Sequence, residues 1–157
     1  MRSLQEEIKK RQPFAVAEQE AALNLARTCD AQHADLARLV KAHGLTGPQY
    51  NVLRILRGAA EPLCGLEIAS RMITQLPDIT RLLDRLEAAG LVDRSRTEAD
   101  RRVVLNGITA PGLARLAALD EPILEAHRRH FGHLTRAELR ELNRLLVKAR
   151  NPGKSGV

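Results

Sequence analysis

A mainly α fold carrying one small β-hairpin (α+β) is what this 157-residue sequence predicts, on three observations. Within residues 79–87, Ile79, Leu82, Leu83 and Leu86 fall at i, i+3, i+4 and i+7, the spacing that buries one face of a helix. Directly after it, Leu91-Val92-Asp93-Arg94-Ser95-Arg96, a polar turn Thr97-Glu98-Ala99-Asp100, and Arg101-Arg102-Val103-Val104-Leu105 read as a hairpin with arginines on both arms. Residues 14–43 hold neither Gly nor Pro, and Leu25, Cys29, Leu36, Leu39 and Val40 keep a helical stripe along them. A helix with a buried back beside a basic hairpin is a winged helix-turn-helix head, an architecture that usually meets DNA. Long helices at the two ends of the chain frame it.

Each element follows from local signals. Residues 1–12 are charged, with only Leu4 and Ile8 at i, i+4, and read as a short docking helix or a frayed end stopped by Pro13. The helix over 14–43 would run on the order of 45 Å at about 1.5 Å per residue, and Gly44 stops it. That exceeds what a compact domain of this size needs, and such a helix often packs on a second subunit. Thr46 caps the next helix, with Pro48 in its tolerated first turn; Tyr50, Leu53 and Leu56 are expected inward. Leu63-Cys64 reads as a very short strand. A short helix from Gly65 to Met72 places Leu66, Ala69 and Met72 on one side, and the turn that follows leads into Pro77 and the helix over 79–87, ended by Gly90. Beyond the hairpin, Thr109-Ala110-Pro111-Gly112 repeats the cap-then-proline opening. Leu134-Thr135-Arg136-Ala137-Glu138 is a capping box before a last helix whose inward residues are Leu139, Leu142, Leu145 and Leu146.

Composition narrows the function classes. The length is that of one domain able to bury its own core. No apolar run is long enough to span a bilayer and no signal-peptide core opens the chain, so a cytoplasmic protein is expected. Two cysteines form no framework. The formal charge of +6 is unevenly placed: residues 1–126 hold 17 basic and 17 acidic side chains, and residues 127–157 hold 8 basic and 2 acidic. The charge therefore does not mark the hairpin region, and a case for DNA has to rest on where individual arginines sit. No nucleophile–base pair, metal cluster or phosphate-binding glycine loop is visible, so no enzyme and no cofactor are expected.

Three further patches complete the pattern. They are Leu45-Thr46-x-x-Gln49-Tyr50-x-x-Leu53, Ile79-Thr80-Arg81-Leu82-x-Asp84-Arg85-Leu86-Glu87-x-x-Gly90-Leu91-Val92-x-Arg94, and Asp100-Arg101-Arg102 followed by Ile108-Thr109-x-x-Gly112. In order and spacing these resemble the MarR family of bacterial transcriptional regulators, over roughly residues 14–150. The resemblance implies a charged extension at 1–13, a DNA-binding head at 46–109, dimerisation through 14–43 and 110–150, and a tail at 151–157. It implies a homodimer on a palindromic double-stranded operator, more commonly a repressor, released by a small and often aromatic acid.

Carried over residue by residue, the resemblance puts Gln75, Asp78, Thr80, Arg81 and Arg85 at or beside the major groove, with Arg94 on the wing. Arginine reaches guanine O6 and N7 or clamps phosphate, and Thr and Gln can do either. Asp78 either accepts from cytosine N4 or complements the helix dipole, and Arg85 has an alternative as an ion-pair partner of Asp84 or Glu87. In the wing, Asp100 would steady Arg102 or Arg101 in the adjacent minor groove. Tyr50 and Arg54, one turn apart, would offer a ring and a cation to an acidic effector.

Other side chains carry weaker signals. His127, His130 and His133 form H-x-x-H-x-x-H without an accompanying carboxylate or thiol, which fits surface histidines better than a metal site. A zinc- or redox-responsive regulator is the alternative within the same fold, with Cys64 before a helix start as the candidate thiol. Cys29, on the apolar stripe, is expected to be buried packing. A winged-helix interaction scaffold that binds no DNA is the other alternative.

Overall fold

The computed structural model describes residues 2–75, 77–96, 103–151 and 153. Ten elements follow in order: α1 (Leu4–Glu7), α2 (Ala17–Ala42), α3 (Gly47–Arg57), β1 (Leu63–Cys64), α4 (Gly65–Arg71), α5 (Ile79–Ala88), β2 (Val92–Arg96), β3 (Val104–Ile108), α6 (Ala110–Phe131) and α7 (Arg136–Arg150). They form two compact units, Met1–Leu119 and Asp120–Val157, so that α6 begins in the first and ends in the second.

In the first unit the core is Val52, Leu53 and Leu56 of α3, Ile68 of α4, Leu82, Leu83 and Leu86 of α5, and Leu116 and Leu119 of α6. The three strands form one antiparallel sheet in the order β1-β3-β2, with Val92 opposite Ile108 and Arg96 opposite Val104. The hairpin and the short first strand are thus as expected, but the second arm runs to Ile108 rather than ending at Leu105. Asn106 explains the extension. It is 2% exposed, and its Nδ2 donates to the Leu63 carbonyl at 3.0 Å, tying β1 to the hairpin. Gly107 sits opposite Asp93, whose carboxylate lies 2.5 Å from where a Cβ would stand.

Capping chemistry sets the helix limits. Thr46 and Gln49 form a reciprocal box at α3, as Ser3 and Glu6 do at α1, where Leu4 is buried and Glu7 pairs with Arg27 at 2.8 Å. The N-terminal segment is therefore a docking helix. At the far end of α2, Gly44 takes φ +73° and Arg115 donates to the His43 carbonyl at 2.6 Å.

Some inward faces differ from the periodicity. Tyr50 is half-buried while Asn51 and Val52 are buried, because α3 meets its neighbours one residue further round. Asn51 lies 3.4 Å from the Met72 sulfur through Nδ2 and accepts from Arg54 at 3.4 Å. In α4 Ile68 is buried and Leu66 is 83% exposed, so the helix turns a different face inward from the one expected, and it ends at Arg71 with Met72 leaving in an extended conformation. The stripe on α2 is largely unburied: all residues from 21 to 31 are exposed, Cys29 among them, and Val40 alone is buried. α1 reaches that stretch only through the Glu7–Arg27 pair and leaves it exposed, and Cys29 is exposed in this chain where packing was expected.

The second unit holds α7, capped by Thr135. The Thr135 backbone N–H at 2.7 Å and hydroxyl at 2.8 Å both donate to Glu138 and hold its carboxyl below the ordinary glutamate value. Leu139, Leu142 and Leu146 are half-buried, but Leu145 is 47% exposed and no residue of α7 is buried.

The junction between β3 and α6 is the tightest backbone approach in the first unit. The Thr109 hydroxyl donates to the Gly90 carbonyl at 2.7 Å and accepts from the Gly112 N–H at 3.2 Å, while the Thr109 N–H donates to the Leu91 carbonyl at 3.2 Å. A Cβ on Gly112 would collide with the Leu91 carbonyl oxygen and with Ile108. Gly112→Ala is therefore expected to destabilise the protein by about 1–3 kcal/mol, as overpacking does, whereas Gly47→Ala, with nothing within 4 Å, leaves the melting temperature within a degree or two. Thermal melts of both variants at one protein concentration check this.

Candidate nucleic-acid interface

α5 begins where Asp78 Oδ1 accepts from the Arg81 N–H at 2.8 Å. Asp78 is thus the N-cap, satisfying one of the orphan donors of the first turn and placing a negative charge at the positive end of the helix. From that start, Leu82, Leu83 and Leu86 turn inward and Thr80, Arg81, Asp84 and Arg85 outward. Gly90, at φ +69°, ends the helix in the expected left-handed conformation. Gln75 is exposed in the preceding turn.

The acidic side chains of α5 have a partner from the sheet. Arg94 of β2 reaches Asp84 at 2.7 Å and Glu87 at 3.3 Å through its two terminal nitrogens. Its side chain is 23% exposed. This leaves Arg81 and Arg85 exposed and without an ion pair or side-chain hydrogen bond among the described residues. The pairing of Arg85 with Asp84 or Glu87 is not what the structure has, and helix geometry gives the reason. Neighbours at i−1 and i+2 do not face one another, and a fork-shaped guanidinium coming from outside the helix can bridge both carboxylates at once.

Arg94, which the family resemblance put on the wing as a DNA-binding residue, sits on the flank of α5 as a brace between helix and wing strand. Strand alternation carries the signal for this. Residues 92, 94 and 96 share one side of β2, and Val92 is 2% exposed, so Arg94 lies beside the core. Its Nε is buried, as is Oδ1 of Asn106, the residue directly opposite on β3. Asp84, Glu87 and Asn106 are the residues that the site list from sequence lacks. Arg96, one pair further out on the wing, is exposed and adds a basic side chain to the outer arm. Asp100, Arg101 and Arg102 lie outside the described residues.

The remaining candidates fall elsewhere. Tyr50 is half-buried and Arg54 exposed, one turn apart on α3, with Arg54 held toward Asn51. Cys64 is half-buried at the N-cap of α4, where its backbone N–H donates to the Glu67 carboxylate at 3.3 Å. His127 and His130 are on α6, His133 beyond its end, and no group of three metal-capable side chains occurs among the described residues.

The brace can be measured. Arg94→Ala is expected to cost about 1 kcal/mol, between an exposed pair and a buried charge-assisted hydrogen bond. Arg94→Lys is expected to recover less than half of that, because one ammonium cannot span Asp84 and Glu87 as a fork does. Denaturant melts of the two variants give the comparison, and full recovery by lysine would contradict the bridging geometry.

Comparison with known proteins converges on the same segment. A sequence profile of the MarR family matches residues 45–104, the stretch that builds α3 to the start of β3. The HTH-type transcriptional repressor IacR of Pseudomonas putida is 34% identical over 122 residues, 78% of this chain and 72% of its own. A MarR transcription factor from Planctomyces limnophilus, known as a crystal structure, is 44% identical, with 85% of this chain and 98% of that one covered at a TM-score of 0.67. Bordetella bronchiseptica BpsR, whose structure concerns regulation of its DNA binding by 6-hydroxynicotinic acid, is 26% identical, covering 89% and 99% at a TM-score of 0.77. The profile and the relatives meet on the helix and wing that leave two arginines open, and on that ground the chain belongs to the MarR family of transcriptional regulators, DNA-binding proteins rather than enzymes.

Proposed function

We propose that this regulator binds a palindromic double-stranded operator as a homodimer and represses transcription until a small acidic effector releases it. The observation that carries the reading is the open face of α5, where Arg81 and Arg85 are exposed and, among the described residues, without an ion pair, while Arg94 takes the neighbouring carboxylates. Free guanidinium groups on an exposed helix face, flanked by Thr80 and Gln75, match the donor pattern that major-groove recognition needs. Asp78 holds the start of the helix and Arg94 ties β2 to it; Asp100 with Arg101 or Arg102 is the pair we assign to the minor groove. On this reading it works in the cytoplasm, where bacterial chromosomal DNA lies.

Two separate surfaces support pairing of chains. On α2 the whole of 21–31 is exposed, with Leu23 at 42% and Leu25 at 46%; on α7, Leu145 and Val147 are about half exposed. Apolar area of that kind gains from a second subunit, which supports dimerisation through 14–43 and 110–150 with 46–109 as the head.

Gel retardation across a salt series tests the DNA reading. The wild type is expected to retain a palindromic fragment as two chains per duplex. Arg81→Ala and Arg85→Ala each either reduce the slope of log affinity against log salt by about 0.9, if the contact is a phosphate, or relax sequence preference by about 1–3 kcal/mol, if it is a base. Arg102→Ala should weaken binding and flatten the slope with the melting temperature unchanged. Absence of retention at low salt defeats the reading.

The effector reading rests on Tyr50 and Arg54 of α3, a ring and a cation at i, i+4 beside the core. BpsR responds to an aromatic acid, and an aromatic carboxylate is the chemistry that this pair would recognise. Calorimetric titration with salicylate is expected to show binding that Arg54→Ala weakens at least about tenfold, the worth of a charge-assisted hydrogen bond. Equal affinity in the two proteins removes Arg54 from the site.

A further inference from the structure

Ile73 is an exposed apolar side chain next to the exposed polar residues Thr74 and Gln75. It lies in the turn between α4 and α5 and is 77% exposed, whereas the exposed apolar side chains of α2, α6 and α7 reach 52% at most. Its outward position has a local cause. Met72 leaves α4 with φ −66° and ψ 138°, extended backbone, and its sulfur lies 3.4 Å from Asn51 Nδ2 beside the core. Met72 is thereby held inward, and Ile73, in the bend that follows, is left outward. Thr74 and Gln75 follow it, both exposed, and then Asp78 starts the reading helix.

A major groove presents hydrogen-bonding edges at every base pair and one apolar group, the C5-methyl of thymine. We infer that Ile73 reads a thymine methyl in each operator half-site, making it a specificity residue that adds to the polar contacts of α5. The inference rests on the DNA reading above. It assigns to the turn a task for which hydrogen-bonding side chains are unsuited, since displacing water between two apolar groups favours the methylated base alone.

The test uses the full-length protein and a palindromic duplex selected by it from a random pool. Each thymine is replaced in turn by deoxyuridine, which removes the methyl and leaves base pairing intact. With wild type, one thymine per half-site is expected to lose about fourfold in affinity on replacement, the worth of one buried carbon of that size. With Ile73→Ala the same replacement should change affinity by less than 1.5-fold, while Ile73→Val keeps most of the effect. Leu66→Ala, which trims an equally exposed side chain at the other end of α4, should keep all of it. The inference is overturned if no thymine methyl matters to the wild type, if Ile73→Ala keeps the full penalty, or if Leu66→Ala loses it. A pool from which nothing is enriched defeats the DNA reading itself, and this inference with it.

Discussion

One guanidinium governs the geometry of the head. Arg94 leaves the second strand on its core-facing side, crosses to α5, and closes on Asp84 and Glu87. The bridge takes up both carboxylates and ties the second strand to the helix, and a forked donor held by two acceptors fixes direction as well as distance. Helix and wing strand are therefore joined beside the exposed face that carries Arg81 and Arg85.

A second junction connects that piece to the helix that follows it. Gly90 and Leu91, just past the end of α5, offer their carbonyls to Thr109, and Gly112 lets the first turn of α6 lie directly against Leu91. The start of α6 in turn carries Arg115, which closes the end of α2 by donating to His43. The end of α5 is thus two hydrogen-bonded steps from the end of α2. A displacement of α2 or of the start of α6 has a short, polar and well-defined path to the reading helix, which suits a regulator whose head position decides whether it binds.

Much of this was legible in the sequence where local chemistry decides structure. The caps at Thr46 and Thr135, the terminator Gly90 and the apolar face of α5 are short-range features, and the structure has each of them. What escaped depends on residues far apart in the chain. Nothing near Asn106 in sequence announces its bond to Leu63, and in a helix as short as α4 the i, i+3 spacing of Leu66, Ala69 and Met72 could not foresee that Ile68 is the residue buried. Cys29 was misjudged for a different reason: a helical stripe shows that a face is apolar, not that this chain supplies its cover. Arg94 is the instructive case, because strand alternation from Val92 already implied a half-buried arginine, and the motif match drew attention away from it.

Asp78 has a consequence for how such a protein would find its target. Many anion-binding helices use the bare positive pole of the first turn to hold a phosphate. Here that pole is occupied by a carboxylate belonging to the helix itself, so the first turn of α5 offers a phosphate less than a bare helix start does, and contact with a DNA backbone is left to the arginines.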